Sequence, residues 1–387
     1  MQIDFNGSER ASVGVEWELM LVERGTGDLA NMASRVLDEL ARSEAGAATA
    51  DKAKHELFEN TIEVITGVCT TVAEAREDLR ATVAAVHRIA GCHGLALMCA
   101  GTHPFAEWHM QTVTDDERYL KLVEEMQWLA RRLLIFGVHV HVGVRGPEKA
   151  IAIANALSTY IPHFLALSAS SPYWRGHDTG LESARSKLFE ALPTAGLPYQ
   201  LSGWDEFEQF MTALVSVDAI ASIREVWWDI RPHPDFGTVE LRMCDGLPRL
   251  DDVVAVAALA QSMVAAMDAA YDRGEQLEYP RPWILKENKW RAARHGLDAE
   301  LITDTTGGHR NLRDAVGALV TELAPTAAEL GCGDELAGVR TMLDGPSSSD
   351  RQRRVAAESG DVRAVPAALV AELEASTGLG GGDGIVR

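Results

Sequence analysis

Three apolar, strand-like runs of the sequence each carry two ionisable residues spaced two positions apart. The pairs are Glu16 and Glu18 in VGVEWEL, His139 and His141 in GVHVHVGV, and Glu240 and Arg242 in VELRM. Residues i and i+2 of a strand lie on the same face of a sheet, roughly 6 to 7 Å apart, while the intervening apolar residues point to the other face. Burying unpaired charges is costly, and cations are the simplest means of holding such groups together. The pattern therefore predicts an enzyme with a metal-lined sheet.

A fourth acidic segment, HELFENTIEVITG, extends from His55 to Gly67. In a helix, Glu56, Glu59 and Glu63 would share one face, whereas the β-branched residues near its end are typical of a strand. Both structures remain open at this point. A single Glu is most often a solvated surface charge, but these carboxylates adjoin apolar residues and accompany a His pair. The combination favours a ligand-binding cluster.

The residue types favour magnesium or manganese and phosphoryl transfer. The His pair alone fits structural histidines and metal ligands equally well, and HxH also occurs in zinc hydrolases. Carboxylates outnumber histidines here, and their hard oxygens suit Mg²⁺ or Mn²⁺ better than zinc. Glu240 and Arg242 could be a simple ion pair. An Arg beside a metal-binding carboxylate, however, is suited to neutralise charge on a transferring phosphoryl group.

The composition restricts the possible partners. The sequence of 387 residues has 36 Lys and Arg against 57 Asp and Glu, a net charge of -21. This charge disfavours nucleic acid and anionic membranes, and a phosphate substrate would need a divalent cation to bind. With 47% hydrophobic residues, the chain can bury the core of one large or two medium domains. We expect a globular protein.

The cysteines and the N-terminus predict a cytoplasmic location. The five cysteines are odd in number and lack CxxC spacing, which favours reduced thiols over a disulfide framework or a structural zinc site. No basic region followed by an apolar stretch opens the chain, and the most apolar run, at residues 253–267, is interrupted by Gln261 and Ser262. We therefore expect neither export nor membrane insertion.

Strand-like and helix-like segments alternate along the chain and predict an α+β fold. Strands are predicted at Ser12–Glu23 and Leu95–Cys99, and helices at Met32–Arg42, Val72–Ala90, Asp115–Leu134, from Pro147 onward, at Leu250–Tyr271 and at Leu297–Met342. PTAGLP, at residues 193–198, predicts a loop. No internal repeat is visible.

The C-terminal part of the sequence differs in composition. Ser347–Arg354 is polar and predicts a link, and GLGGGDGIVR has too little apolar surface to order itself. We predict a single catalytic domain over residues 1–375, whose helical C-terminal part begins near residue 297. A disordered tail is predicted for residues 376–387.

Five separated motifs occur in one order: GVEWE, HELFENTIEVITG, FGVHVHVGV, WWDIRPHPDFGTVELRMCD and NKWRAARHGL. Through them the chain, from about Val13 to Leu297, resembles the glutamate-cysteine ligase type 2 family of carboxylate-amine ligases. The resemblance implies a glutamine synthetase-like fold, with a curved, mainly antiparallel sheet whose concave face holds ATP, divalent cations and an amino-acid carboxylate. Helices would pack outside the sheet.

The resemblance also implies the reaction and its cofactors. ATP would convert a carboxylate, that of glutamate, into an acyl phosphate that the amine of cysteine attacks, with two or more Mg²⁺ or Mn²⁺ ions bound. The implied partners are small-molecule amino acids and ATP, and a homo-oligomer is possible.

Site residues follow from matching the motifs of the wider superfamily. One implied metal site consists of Glu18, Glu56 and Glu63, and the other of Glu16, His139 and Glu240. Arg242 matches a phosphate-stabilising Arg, and Arg231 in IRPHP is a second catalytic candidate for binding carboxylate or phosphate. Candidate substrate- and ATP-binding residues are His141, Arg185, Lys187, Asn288 and Arg291. Caps and surface ion pairs are the alternative roles for these additional candidates.

Two other functions are compatible with the same residues. A metal-dependent amide hydrolase would cleave an amide without ATP, and a non-catalytic nucleotide- or amino-acid-binding protein would keep the charged face without turnover. The sequence has no GxxxxGK[ST] loop, so nucleotide binding would depend on the sheet and its metals.

Overall fold

The computed structural model describes residues 2–9, 11–43, 49–279 and 281–379. Its strands are β1 (Val13–Glu23), β2 (Ala53–His55), β3 (Thr61–Ile65), β4 (Leu95–Met98), β5 (Gly137–Gly143), β6 (Tyr173–Trp174), β7 (His177–Asp178), β8 (Ile230–His233), β9 (Thr238–Asp245), β10 (Glu300–Ile302) and β11 (His309–Asn311). Seven of them form one antiparallel sheet in the order β2-β3-β1-β5-β9-β8, with β4 also paired to β1. The other four form two separate hairpins.

The helices flank this sheet. They are α1 (Ala33–Arg42), α2 (Val72–Cys92), α3 (Glu117–Met126), α4 (Trp128–Arg131), α5 (Pro147–Leu157), α6 (Ile161–Ser168), α7 (Ala184–Phe189), α8 (Trp204–Ser216), α9 (Leu250–Asp272), α10 (Pro282–His295), α11 (Leu312–Leu330), α12 (Gly333–Asp344), α13 (Ser348–Ser359) and α14 (Val365–Thr377). The mixture of helices with an open antiparallel sheet is the predicted α+β class.

The two faces of the sheet have opposite character because β1 alternates residue by residue. Val15, Trp17 and Leu19 are fully buried, whereas Glu16 and Glu18 between them are half-buried on the other face. The apolar face packs in one core with α2 and α9. This core leaves the opposite face of the sheet for the ionisable residues.

Two segments of the described chain are long and apolar enough to cross a membrane by length and composition, Pro147–Ser168 and Leu250–Asp272. In each, 78% of the most apolar window is buried inside the fold. Their apolar residues therefore supply the core behind the sheet, and α9 is its central helix.

The structure decides between helix and strand for residues 55–67 and corrects two other expectations. Thr61–Ile65 is a strand, because β-branched side chains fit the pleated surface between β1 and β2. Residues 300–311 form a hairpin rather than the start of a long helix. The expected helix at 115–134 is broken at Gln127, whose φ is 49°.

The expected polar link at residues 347–354 is wrong. Ser347 forms a capping box with Asp350, and this cap starts α13. The expected tail begins too early, since α14 continues through Thr377, and residues 380–387 lie outside the described part of the chain. The single-domain assignment stays a prediction. All five cysteines are unbridged, as predicted.

Candidate active site

Strand pairing brings the ionisable pairs side by side. Glu18 on β1 lies opposite Glu63 on β3, and Glu16 lies opposite His139 on β5. On the other side of β5, His141 lies opposite Glu240 on β9. The charged residues thus form one continuous band across the centre of the sheet.

The first part of this band is a cluster of three carboxylates. Glu18, Glu56 and Glu63 each offer an oxygen within 4.8 Å of the others. Burial and then the adjacent Glu56 carboxylate raise the pKa of Glu18 to about 8. Burial, followed by the like charge of Glu16, raises the pKa of Glu63 well above its usual range. Carboxylates held this close repel one another, and a hard divalent cation would remove the repulsion.

The second part of the band centres on Glu16. Its Oε2 lies 2.8 Å from His139 Nδ1, and its Oε1 lies 3.2 Å from His141 Nε2. Potential ligand atoms of Glu16, His141 and Glu240 fall within 4.8 Å of one another, as do those of Glu16, Glu63 and His139. The structure therefore groups His141, rather than the expected His139, with Glu16 and Glu240.

The pKa values of the two histidines shift in opposite directions. Burial, followed by the positive charge of Arg242, lowers the pKa of His139 to about 4. For His141, burial acts in the same direction, but Glu240 and Glu16 outweigh it and raise the pKa. His139 is thus a neutral imidazole, the form that binds metal.

Glu240 is fully buried between two guanidinium groups. Its Oε2 accepts from Arg231 Nε at 2.8 Å, and its Oε1 contacts Arg242 Nη1. Although burial favours the protonated acid, Arg231 and Arg242 hold the pKa of Glu240 well below its usual range. Glu240 is therefore an ion-paired carboxylate, and both of its oxygens are engaged by protein groups.

The two arginines have different freedom to bind a ligand. Arg231 is 4% exposed and also donates through Nη1 to the carbonyl oxygens of Ile223 and Val226, at 2.8 and 3.1 Å. Its guanidinium is largely engaged in anchoring the segment before β8, contrary to the expected role in binding substrate. Arg242 is half-buried, and its Nε has no hydrogen-bond partner among the described residues. Arg242 is the better donor for an anionic ligand.

A cavity of about 330 Å³ lies over the band. The Glu and His residues line it together with Arg185, Arg231 and Arg242, and further lining residues that the sequence analysis did not identify are Lys54, Arg118, Tyr119, Arg224 and Trp227. These come from β2, α3 and the segment before β8, and no spacing in the sequence relates them to the sheet. The cavity is large enough for a small ligand.

Three expected site residues do not line this cavity. Lys187 forms an ion pair with Glu190 at 2.9 Å. Asn288 exchanges hydrogen bonds with the backbone of Ile302 and lines a different cavity of about 750 Å³. Arg291 pairs with Glu287 on the same helix. The contacts of Lys187 and Arg291 are the ion pairs that were the alternative role, and the Asn288 contact fastens α10 to β10.

A neighbouring residue of the same helix, Lys289, is buried in an ion-pair network that the sequence did not predict. Its Nζ is buried between Asp229 Oδ2 at 2.5 Å and Glu190 Oε1 at 2.6 Å. These contacts fasten α10 to the end of α7 and to the start of β8. A lysine beside Asn288 and Arg291 has no distinguishing signal in the sequence.

An open antiparallel sheet with a band of acidic groups on one face, beside the Arg242 guanidinium, fits the class of ATP-dependent ligases that form carbon-nitrogen bonds. Comparison with known families makes the assignment specific. The model of glutamate-cysteine ligase family 2 matches residues 12–368, and the chain belongs to that family.

Curated relatives match nearly the whole chain. One from Frankia alni, provisionally named glutamate-cysteine ligase 2-1, is 56% identical over 374 residues, which cover 96% of this chain and 98% of the relative. One from Thermobifida fusca, provisionally named glutamate-cysteine ligase 2, is 51% identical over 375 residues, which cover 97% of this chain and 94% of the relative.

Solved structures show the same fold at low sequence identity. The glutamate-cysteine ligase of Francisella tularensis in complex with AMP has a TM-score of 0.65 and 15% identity, covering 97% of this chain and 93% of that one. A bifunctional glutathione synthetase from Pasteurella multocida also has a TM-score of 0.65, with 14% identity, covering 95% of this chain and 52% of that one. The predicted family and fold are therefore confirmed.

Proposed function

We propose that this ligase joins the γ-carboxylate of L-glutamate to the α-amine of L-cysteine, forming γ-glutamylcysteine, ADP and phosphate. The observation that carries the proposal is the cluster of Glu18, Glu56 and Glu63 in one cavity with Arg242, whose Nε is unused by the described residues. Membership of the family and the names of the relatives support this choice of substrates. A cytoplasmic location is part of the proposal.

We assign magnesium, or manganese, to the acidic band. Glu18, Glu56 and Glu63 fit such an ion best, because all three offer hard oxygens and their mutual repulsion is otherwise unrelieved. Glu16, Glu63 and the neutral His139 could hold a second ion, since their potential ligand atoms also lie within 4.8 Å of one another. Such ions would supply positive charge to the phosphate oxygens of ATP.

The protein groups would then act in a defined order. A carboxylate is a poor electrophile, so transfer of the γ-phosphoryl group to glutamate must precede amide formation. Arg242 would stabilise the charge on the transferring group, since its guanidinium is always ionised and one donor is unused by the protein. The cavity would hold the acyl phosphate next to the amine, which attacks it and releases phosphate. No covalent enzyme intermediate is required.

A hydroxamate assay tests the reaction class without knowledge of the amine. Glutamate, Mg·ATP and hydroxylamine should yield a γ-hydroxamate and ADP in equal amounts, because hydroxylamine traps an acyl phosphate. An amide hydrolase would show no dependence on ATP, and a binding protein would form no ADP. ADP formed without glutamate would indicate a simple ATPase and contradict the proposal.

The amine is tested separately. With glutamate and Mg·ATP present, cysteine should increase ADP formation more than glycine, 2-aminobutyrate or ammonia, and mass spectrometry should detect γ-glutamylcysteine. If another amine is preferred, the ligase chemistry stands and cysteine is the wrong substrate.

A further inference from the structure

Asp245 is a buried carboxylate that belongs to none of the acidic groups described above. It is the last residue of β9 and has 0% exposure. Its Oδ2 accepts hydrogen bonds from Ser170 N–H at 3.0 Å and Ser171 Oγ at 2.6 Å, and its Oδ1 accepts from Ser183 Oγ at 2.8 Å. All three donors are neutral, so they do not by themselves explain why a charged side chain is buried at this position.

The hydrogen bonds continue from Asp245 to Arg185. Ser171 Oγ, which donates to Asp245, accepts from the backbone N–H of Arg185 at 3.0 Å. Ser183, the second hydroxyl donor, is the N-cap of α7 and accepts from the N–H of Ser186 at 3.3 Å. Asp245 therefore fixes the hydroxyl groups of Ser171 and Ser183, which bind the backbone N–H groups of the first turn of α7. This turn carries Arg185.

The Arg185 side chain enters the catalytic cavity from that turn. It is 3% exposed, yet its Nε has no hydrogen-bond partner among the described residues, and both Nη atoms lie 3.4 Å from the carbonyl oxygen of Arg242. A Cβ added at Gly137 would lie 2.9 Å from Arg185 Cζ. The guanidinium thus occupies space that a glycine leaves open and retains a donor for a ligand.

We infer that Asp245 is a positioning residue that holds Arg185, through Ser171 and Ser183, where its guanidinium binds an anionic oxygen of a substrate. The anionic group is a phosphate of ATP or the carboxylate of the amino acid. A guanidinium binds such oxygens through paired donors, so a small displacement of the first turn of α7 weakens the contact. Arg185 is also the charge that most opposes the rise that burial causes in the pKa of Asp245.

A double-mutant cycle tests this inference. Calorimetry would measure the affinities of Mg·ADP and of glutamate for the wild type, Asp245→Asn, Arg185→Lys and the double variant. Asp245→Asn should weaken one of the two ligands on the order of 10-fold in the wild-type background, and less than about 2-fold when Arg185 is already Lys. The loss of stability caused by Asp245→Asn should be similar in both backgrounds, because the serine contacts are lost in both.

Ser349→Ala is a matched control for general loosening of this region. Ser349 is fully buried and its hydroxyl donates to the carbonyl oxygen of Glu182 at 2.7 Å, next to Ser183. This variant should lower stability and leave both affinities unchanged. Ser171→Ala removes the bridging hydroxyl and keeps Asp245, so it replaces Asp245→Asn if that variant does not fold, with the same expected pattern.

Two results would overturn the inference. One is an equal fold loss of affinity in both Arg185 backgrounds, and the other is unchanged affinity for both ligands in the Asp245 or Ser171 variant. The inference depends on the proposed function only through the glutamate measurement. If glutamate fails to bind and Mg·ADP binds, the substrate proposal fails, and the role of Asp245 is decided by the nucleotide affinities.

Discussion

Lowering the pH from 7 to 5 should destabilise the protein through His103, a histidine far in sequence from the acidic band. His103 is 1% exposed, and its Nε2 lies 2.8 Å from the carbonyl oxygen of Gly27, to which it donates. Its Nδ1 accepts from the backbone N–H groups of Phe105 and Ala106, at 3.3 and 3.0 Å. A proton added at Nδ1 would face two donors, so the folded state requires the neutral ring.

The magnitude follows from the pKa of His103 in the two states. Burial lowers it from 6.5 to about 4 in the folded protein. Between these values the unfolded chain binds a proton that the folded chain does not, so stability falls as the pH drops below 6.5. Each pH unit in this range costs about 1.4 kcal/mol, and His103 should contribute about 2 kcal/mol of lost stability between pH 7 and pH 5.

Urea unfolding of the wild type and His103→Asn at pH 9, 7 and 5 would isolate this contribution from other buried histidines. Asn retains an acceptor for the two N–H groups but cannot titrate. The variant should be less stable at pH 9 and 7 by a similar amount, and the difference should shrink by about 2 kcal/mol at pH 5. A difference that stays constant across the three pH values would refute the reasoning.

Three further outcomes are expected at the active site. Arg242→Lys should lower kcat by roughly 10- to 1,000-fold with a smaller effect on ATP affinity, because the ammonium of lysine cannot replace the paired donors of the planar guanidinium. Near wild-type kcat would show that Arg242 does not stabilise the transferring phosphoryl group. Glu63→Gln should abolish the Mg²⁺-dependent rise in melting temperature, whereas the exposed Glu329→Gln should retain it; equal shifts in the two variants would remove Glu63 from the metal site. Lys289→Met should cost about 3 to 5 kcal/mol of unfolding free energy, measured in urea, and a second change, Asp229→Asn, should restore part of it by removing a buried unpaired charge. No recovery in the double variant would show that Asp229 is not the group left unpaired.

Much of the charged band on the sheet could be predicted from the sequence, because strand geometry is local. Spacing by two places Glu16 and Glu18 on one face whatever the rest of the chain does, and the apolar residues between them determine which face meets the core. Motif order predicted the family, which the match over residues 12–368 confirms. The grouping of Glu18, Glu56 and Glu63 came from the same resemblance, and the structure brings them within 4.8 Å.

Other features depend on contacts between distant segments, which no local pattern encodes. The register between β5 and β9 sets His141 rather than His139 opposite Glu240. Arg231 looked like a ligand-binding group, but the carbonyl oxygens before β8 engage its guanidinium. The polar composition of Ser347–Arg354 predicts a link, whereas Ser347 and Asp350 form a capping box that starts α13.

The sequence by itself determined the types of ionisable residue, their shared faces and the class of chemistry, because side-chain chemistry and strand periodicity are properties of short segments. Only the tertiary structure decided which donors are free and which are engaged. Lys289, rather than Asn288 or Arg291, forms a buried ion pair with Asp229 because helix α10 packs with that side chain toward it. The availability of a charged group depends on its partners, and folding brings those partners from remote parts of the chain.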